Sequence, residues 1–453
     1  MYKRGKRNQG CFMQAKKTLY GTGMFFFLIL ILCISGCGYR GEATEPVPAA
    51  SAVSGEKNNS QTNTDASTTN EQDPIVLWKE QCLDNRAVYL NSNFAETEDS
   101  LYSIPFSGGL IMGWDKKNHI GGALCGRPEC LHNDDQCNAY VGSVPKSNLS
   151  LYQNRLYWIG VVKTDPRTRG VPGVYSMKLD GTDRRLELNW DYYQDGINNA
   201  YLNKGFVYAV HQKAEVNQAA EPFFRLTVRM IPIDGTDPVT ILDCTGQESV
   251  KVMPFFEEDT VWFVLSSRQG GTFCLKLLCW NTEKQELQET FSIEELPICL
   301  DSMWKTEDGT IFLKNGKVNN QLFQLKDGEL LPREELLPDQ DKYAMLYFSE
   351  SILIASGVGP HHNMREDVID TTVLVQKWNG TLLYEGPVSM NFQADLNSKW
   401  HYHALCALFG DENGLYYEYE WEDENGHALT TRVYYTLAGG TLREELMWAI
   451  QTR

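Results

Sequence analysis

The sequence predicts an all-β fold and, within that class, a β-propeller of seven blades. Three observations carry this. Residues 75–453 hold Tyr, Phe, Trp, Val, Leu and Ile in short runs, with no long stretch of helical period. A strand-like run ending in Asp-Gly, Asn-Gly or a related turn recurs along them, and its spacing suits a blade. Asp-Gly and Asn-Gly tolerate the positive φ that two-residue hairpin turns demand. A unit of about 40–55 residues with several short strands is the propeller pattern, because one twisted sheet cannot bury both of its faces alone.

The run appears at 110–116, 174–181, 228–235, 274–281, 322–328, 373–380 and 433–440. Its turns fall near residues 115, 181, 235, 281, 327, 379 and 439, a mean step of 54 residues. Seven such steps nearly fill the folded segment. The intervals range from 46 to 66, which leaves six or eight blades as alternatives and an open array of sandwiches as the rival architecture. Six of the runs have an upstream partner strand, at 156–158, 206–208, 261–263, 311–313, 352–354 and 415–417. Several partners follow a polar turn such as Gln153-Asn154-Arg155, Glu258-Asp259-Thr260 or Asp308-Gly309-Thr310. Residues 87–90 read as a strand that completes the last blade and closes the ring. The Glu-rich pieces 283–296 and 333–341 are the best helix candidates, both short.

Ahead of this domain, residues 1–36 read as a signal peptide. Six Lys/Arg and no acidic residue accompany an apolar core from Met24 to Ile34, too short to span a bilayer as a stable anchor. Ile34-Ser35-Gly36-Cys37 resembles the bacterial lipobox, which implies cleavage before Cys37 and lipidation of its thiol. An uncleaved anchor, or secretion with cleavage elsewhere, is the alternative. Two or three acyl chains hold firmly where one holds reversibly. The expected location is therefore the cell membrane, lipid-anchored and facing outside the cytoplasm. Residues 37–74 form the lipidated Cys and a polar linker in which Tyr39, Val47 and Val53 are the only large apolar side chains. Such a segment buries too little to order itself, and as a flexible coil it would average about 30–35 Å end to end.

The whole chain carries a net charge of −18. Without residues 1–36 it has 35 basic and 59 acidic residues, a net −24. That balance argues against nucleic acid and against docking on anionic headgroups.

The densest chemical feature is Cys125-Gly-Arg-Pro-Glu-Cys130-Leu-His132-Asn-Asp-Asp-Gln-Cys137. Cys125, Cys130, His132 and Cys137 offer the four donors of a closed structural zinc site. A disulfide, favoured by an oxidising exterior, is the main rival, and neither is the third reading. Beside Cys37, the mature chain has nine cysteines, at 82, 125, 130, 137, 244, 274, 279, 299 and 406, so at least one lacks a partner in the monomer. Cys274 and Cys279 lie five apart on one strand and face opposite sides, which argues against their pairing.

Asp115-Lys116-Lys117, Leu124-Cys125, Pro128-Glu129-Cys130-Leu131-His132 and Cys137-Asn138-Ala139-Tyr140, together with the lipobox and polar spacer, resemble a group of uncharacterised lipoproteins from gut Firmicutes. Residues 174–182 approximate a repeat found in that group. The resemblance implies a propeller and a surface location, and no activity.

Gly-x-Ser-x-Gly, His-Glu-x-x-His, phosphate-loop and calcium-loop strings are missing. Residues 361–367, a stretch of His and carboxylates, read as a solvated loop with metal binding as the alternative. His401 and His403 read as packing side chains, and the pairs Glu257-Glu258 and Glu294-Glu295 take no role. The leading function is thus noncatalytic recognition of a glycan, peptide or protein on one propeller face. A propeller-type hydrolase or lyase is the second, and an accessory subunit of an envelope complex the third.

Overall fold

The computed structural model describes residues 93–451, apart from 106–107, 133–135, 143–148, 163–169, 193, 217–221, 247, 316–320, 340–341, 344 and 358–371. The signal peptide, Cys37, the linker, Cys82, the expected strand at 87–90 and the stretch 361–367 lie outside the described residues.

Among the described residues thirty strands form seven blades in a ring, each blade's own four strands pairing antiparallel. Blade I comprises β1 (Asn93–Glu96), β2 (Ser100–Ile104), β4 (Met112–Asp115) and β5 (Ile120–Ala123), with the two-residue β3 (Gly109–Leu110) between its second and third strands. Blade II comprises β7 (Ser150–Tyr152), β8 (Arg155–Val162), β9 (Val171–Lys178) and β10 (Arg185–Asn189). Its sheet is extended by β6 (Tyr140–Gly142), which pairs with β8 and carries β3. Blade III is β11–β14 (199–246). Blade IV comprises β15 (Ser249–Glu257), β16 (Thr260–Gln269), β17 (Thr272–Asn281) and β18 (Glu286–Leu296). Blades V, VI and VII are β19–β22 (302–332), β23–β26 (345–387) and β27–β30 (401–451).

All seven expected turns are the hairpins between the third and fourth strands of their blades, and all six partner strands are second strands. The physical reason is local. Gly181, Gly235, Gly328 and Gly380 hold φ between 76 and 83°, where L side chains are strained. Gln153 and Asn154, ahead of a partner strand, also have positive φ.

The ring is visible in the packing. Alternation along each strand sends successive side chains to opposite neighbours. Phe255 joins the cluster between blades IV and V, whereas Phe256 joins the one between III and IV. The buried side chains sort into seven such clusters, one per pair of adjacent blades. The seventh joins blade VII to blade I. There Phe94 stacks on Phe409 with ring centroids 4.3 Å apart, and Tyr416 donates its hydroxyl to Glu96 at 2.9 Å. A Cβ on Gly121 would lie 2.0 Å from the carbonyl oxygen of Met447, so only glycine allows this approach. Blade VII is built from four consecutive strands, and the described part of the closure is side-chain packing.

The two rims of the ring differ. Hairpins from first to second and from third to fourth strand take two to six residues. The opposite rim carries the second-to-third connections and the links between blades, up to residues 124–149 between β5 and β7.

Two expected helices are corrected. Residues 286–296 of the first candidate form β18, the outermost strand of blade IV, in register with β17. The glutamates favour helix locally, but Phe291 and Ile293 alternate inward from an otherwise exposed edge, and that pairing wins. The second candidate contributes only a 3₁₀ turn at Glu334–Leu336. His401 and His403 are also corrected. Both are exposed, because a register shift between Tyr402 and Ala404 leaves Tyr402 to pack inward, and His403 lies 3.3 Å from Glu422.

Candidate metal centre

Residues 124–142 leave β5, pass the turn between β9 and β10, and return to blade II through β6. The segment is fastened to that turn by backbone and side chain alike. The N–H of Gly126 donates to the carbonyl of Gly181 at 3.2 Å, and Asn138 Nδ2 reaches the same oxygen at 3.0 Å. Arg184 donates to the carbonyls of Cys137 and Tyr140 at 2.6 and 3.2 Å. A Cβ on Gly126 would come within 2.4 Å of Thr182 Cγ2, so the fit leaves room for no side chain.

This folding brings the four expected donors together. The ligand atoms of Cys125, Cys130, His132 and Cys137 all lie within 4.8 Å of one another. Cys137 is fully buried and the other three are half-buried. His132 Nδ1 sits 3.4 Å from Cys137 Sγ, with His132 itself held at φ 56°. That left-handed backbone costs about 1–2 kcal/mol and turns the imidazole back toward the sulfurs. Edges of a tetrahedron with zinc–sulfur bonds of about 2.3 Å are roughly 3.7 Å long, so the set is of the right size. Among the described residues this is the only group of three or more His, Cys, Asp or Glu with that convergence.

The surroundings are organised around the sulfurs. The backbone N–H groups of Arg127 and Asn138 point at Cys125, and that of Ala139 at Cys137. The guanidinium of Arg127 donates from Nη2 to Cys130 Sγ at 3.2 Å. Burial opposes ionisation of Cys125, but the N–H groups of Arg127 and Asn138, together with hydrogen bonds from Cys137 and Cys130, bring the thiol down to about 7. Burial dominates at Cys137 and pushes it up to about 12. Burial and then the nearby Arg127 lower His132, which favours the neutral imidazole that ligates metals.

The eight described cysteines are all unbonded thiols, Cys274 and Cys279 included. The structure brings together Cys125, Cys130, His132 and Cys137, the four residues named from the sequence. Sequence reasoning missed Arg127 and Arg184. Arg127 had a readable signal, a cation between two candidate thiolates in Cys-Gly-Arg-Pro-Glu-Cys. Arg184 had none, since 47 residues separate it from Cys137.

No protein-family model and no curated protein sequence matches the chain. Among solved structures it is similar to the β-propeller domain of the Trilobed protease from Pyrococcus furiosus. The identity is 9% and the TM-score 0.42, over 79% of this chain and 98% of that one. Pyrococcus horikoshii acylaminoacyl peptidase is similar at 10% identity and TM-score 0.41, over 81% of this chain and about half (54%) of the peptidase. An oligogalacturonate lyase in complex with manganese gives 11% identity and TM-score 0.38, over 59% of this chain and 72% of the lyase. At such distances these likenesses carry no argument about activity.

Proposed function

We propose that this chain is an acyl-anchored, noncatalytic propeller displayed outside the cytoplasm. It recognises a glycan, peptide or protein partner, and Cys125, Cys130, His132 and Cys137 hold a structural zinc ion. The observation that carries this reading is the donor set. Four protein ligands fill a tetrahedral zinc and leave no open position for substrate or water, which is the pattern of a structural site. The N–H groups aimed at three separate sulfurs favour metal over disulfide, because a disulfide has no thiolate charge to stabilise.

The anchor is supported by the basic, apolar and small-residue order that ends at Cys37. Recognition is supported by the unequal rims. One is trimmed to short hairpins, while the other carries connections long enough to shape a binding surface. Metal analysis of the mature chain purified without chelator tests the zinc. One equivalent per chain, lost on replacing Cys137 by Ser, is expected; a metal-free protein with a bonded Cys pair would sink the assignment. Replacing Cys37 by Ser tests the anchor, and release of the chain from the membrane fraction is the expected result.

A further inference from the structure

The Cys125–Cys137 segment contains a fifth functional residue that ligates nothing. Three thiolates and a neutral imidazole around Zn²⁺ would leave a net charge of −1 on donors of which Cys137 is buried and the other three half-buried, where an uncompensated charge is costly. Arg127 stands against that charge. Its Nη2 is 3.2 Å from Cys130 Sγ, its own backbone N–H points at Cys125, and its carbonyl accepts from the N–H of Cys130 at 3.2 Å. Among the described residues its side-chain bond runs to a sulfur and not to a carboxylate, in a chain of net charge −18. A surface arginine in so acidic a protein would ordinarily find a carboxylate. Among the described residues the guanidinium of Arg127 donates to sulfur.

We propose that Arg127 is the outer-sphere counter-charge of the site: a positioning residue that brings the Cys₃His–zinc unit to neutrality and raises its affinity for the metal without binding it. The proposal rests on the zinc reading above. Groups around a metal's direct ligands typically change its affinity 10–100-fold when removed. A lysine offers the same charge without arginine's fixed N–H directions, so it separates charge from shape.

The test uses the mature full-length chain in detergent and reads zinc affinity by competition with a chromophoric chelator. Cobalt(II) substitution serves as a second readout. Arg127→Gln should weaken zinc binding by about 10–100-fold while the sulfur-to-cobalt charge-transfer bands keep the intensity of three thiolates. Arg127→Lys should recover most of the lost affinity. Three results would overturn the proposal: wild-type affinity in Arg127→Gln, loss of one thiolate's band intensity in that variant, or equal losses in the Gln and Lys variants. The second would make Arg127 a scaffold for Cys130, and the third would make its shape matter in place of its charge. A wild-type protein without zinc overturns both this proposal and the reading beneath it, so the two failures are distinguishable.

Discussion

Blade I and blade IV perform the same architectural task with very different resources. The four strands of blade IV run 9, 10, 10 and 11 residues, and its two flanking clusters hold Phe255, Phe256, Phe263, Leu275, Leu277 and Trp280. The strands of blade I run 4, 5, 4 and 4 residues. Apolar burial stabilises by roughly 25 cal/mol per Å², so a blade of half the length has far less to draw on. Blade I also closes the ring. The Cys/His segment lies where this shortage falls: Cys125, Cys130, Cys137 and Ala139 join the cluster shared by blades I and VII, while Gly126, Asn138 and Arg184 tie the segment to blade II. A zinc ion held there, as proposed, would supplement packing at a short-stranded blade, in the way small domains use staples.

The largest effect that would break or sharpen this contrast is removal of the proposed zinc. With free zinc at about 1,000 times its dissociation constant, linkage makes the site worth about 4 kcal/mol. Chelation should accelerate amide hydrogen exchange across residues 93–142 and leave 249–296 slow. Equal acceleration in both segments would mean that the ring unfolds as one unit and the contrast is empty.

A cavity in the long blade should behave in the opposite way. Leu277 is fully buried between blades IV and V, and Leu277→Ala should cost about 3 kcal/mol whether or not zinc is present. Urea midpoints measured with and without chelator give the comparison, and a cost that vanishes on chelation would contradict it.

Blade V supplies a pH-dependent case. Lys314 is 9% exposed, its ammonium 4.8 Å above the ring of Phe348, and burial pushes it down to about 8 despite the attraction of Asp301. The unfolded chain keeps this proton up to about pH 10.5, so the penalty of a buried charge is full below pH 8 and fades between pH 8 and 10.5. The shift corresponds to about 3 kcal/mol, of which the lost cation–π contact takes back about 1. Lys314→Met should therefore stabilise by about 2 kcal/mol at pH 7, with the gain shrinking toward pH 10.5. Denaturation midpoints across that range would show it, and a gain independent of pH would refute it.

The smallest effect lies in the turns. Gly380 has φ 83° and open space around its missing Cβ, so Gly380→Ala should cost about 1 kcal/mol through backbone strain alone. A drop of the thermal midpoint by about 1–2 °C is the measurable outcome.

These turns explain why so much of the fold was legible. Asp180-Gly181, Asp234-Gly235 and Asn379-Gly380 encode their conformation within two residues, so they mark third-to-fourth hairpins without knowledge of any neighbour. β18 was not legible, because Glu286, Glu289, Glu294 and Glu295 favour helix until β17 offers a pairing edge. Nor were β3 and β6, whose Gly109–Gly142 pairing crosses an insertion. The four donors of the candidate metal centre lie within thirteen residues and announce themselves by type. Their fastening by Arg184 is a product of the folded state, and single-chain spacing carries no trace of it.

The closure by packing has a consequence for biogenesis. Blade I is made first, yet the surface it needs on blade VII arrives some 300 residues later, roughly 15–60 s at ordinary elongation rates. In that interval the Cys/His segment can already grip the newly formed second blade. A zinc ion bound there, as proposed, would moor blade I to blade II and steady its apolar face until blade VII comes round to cover it.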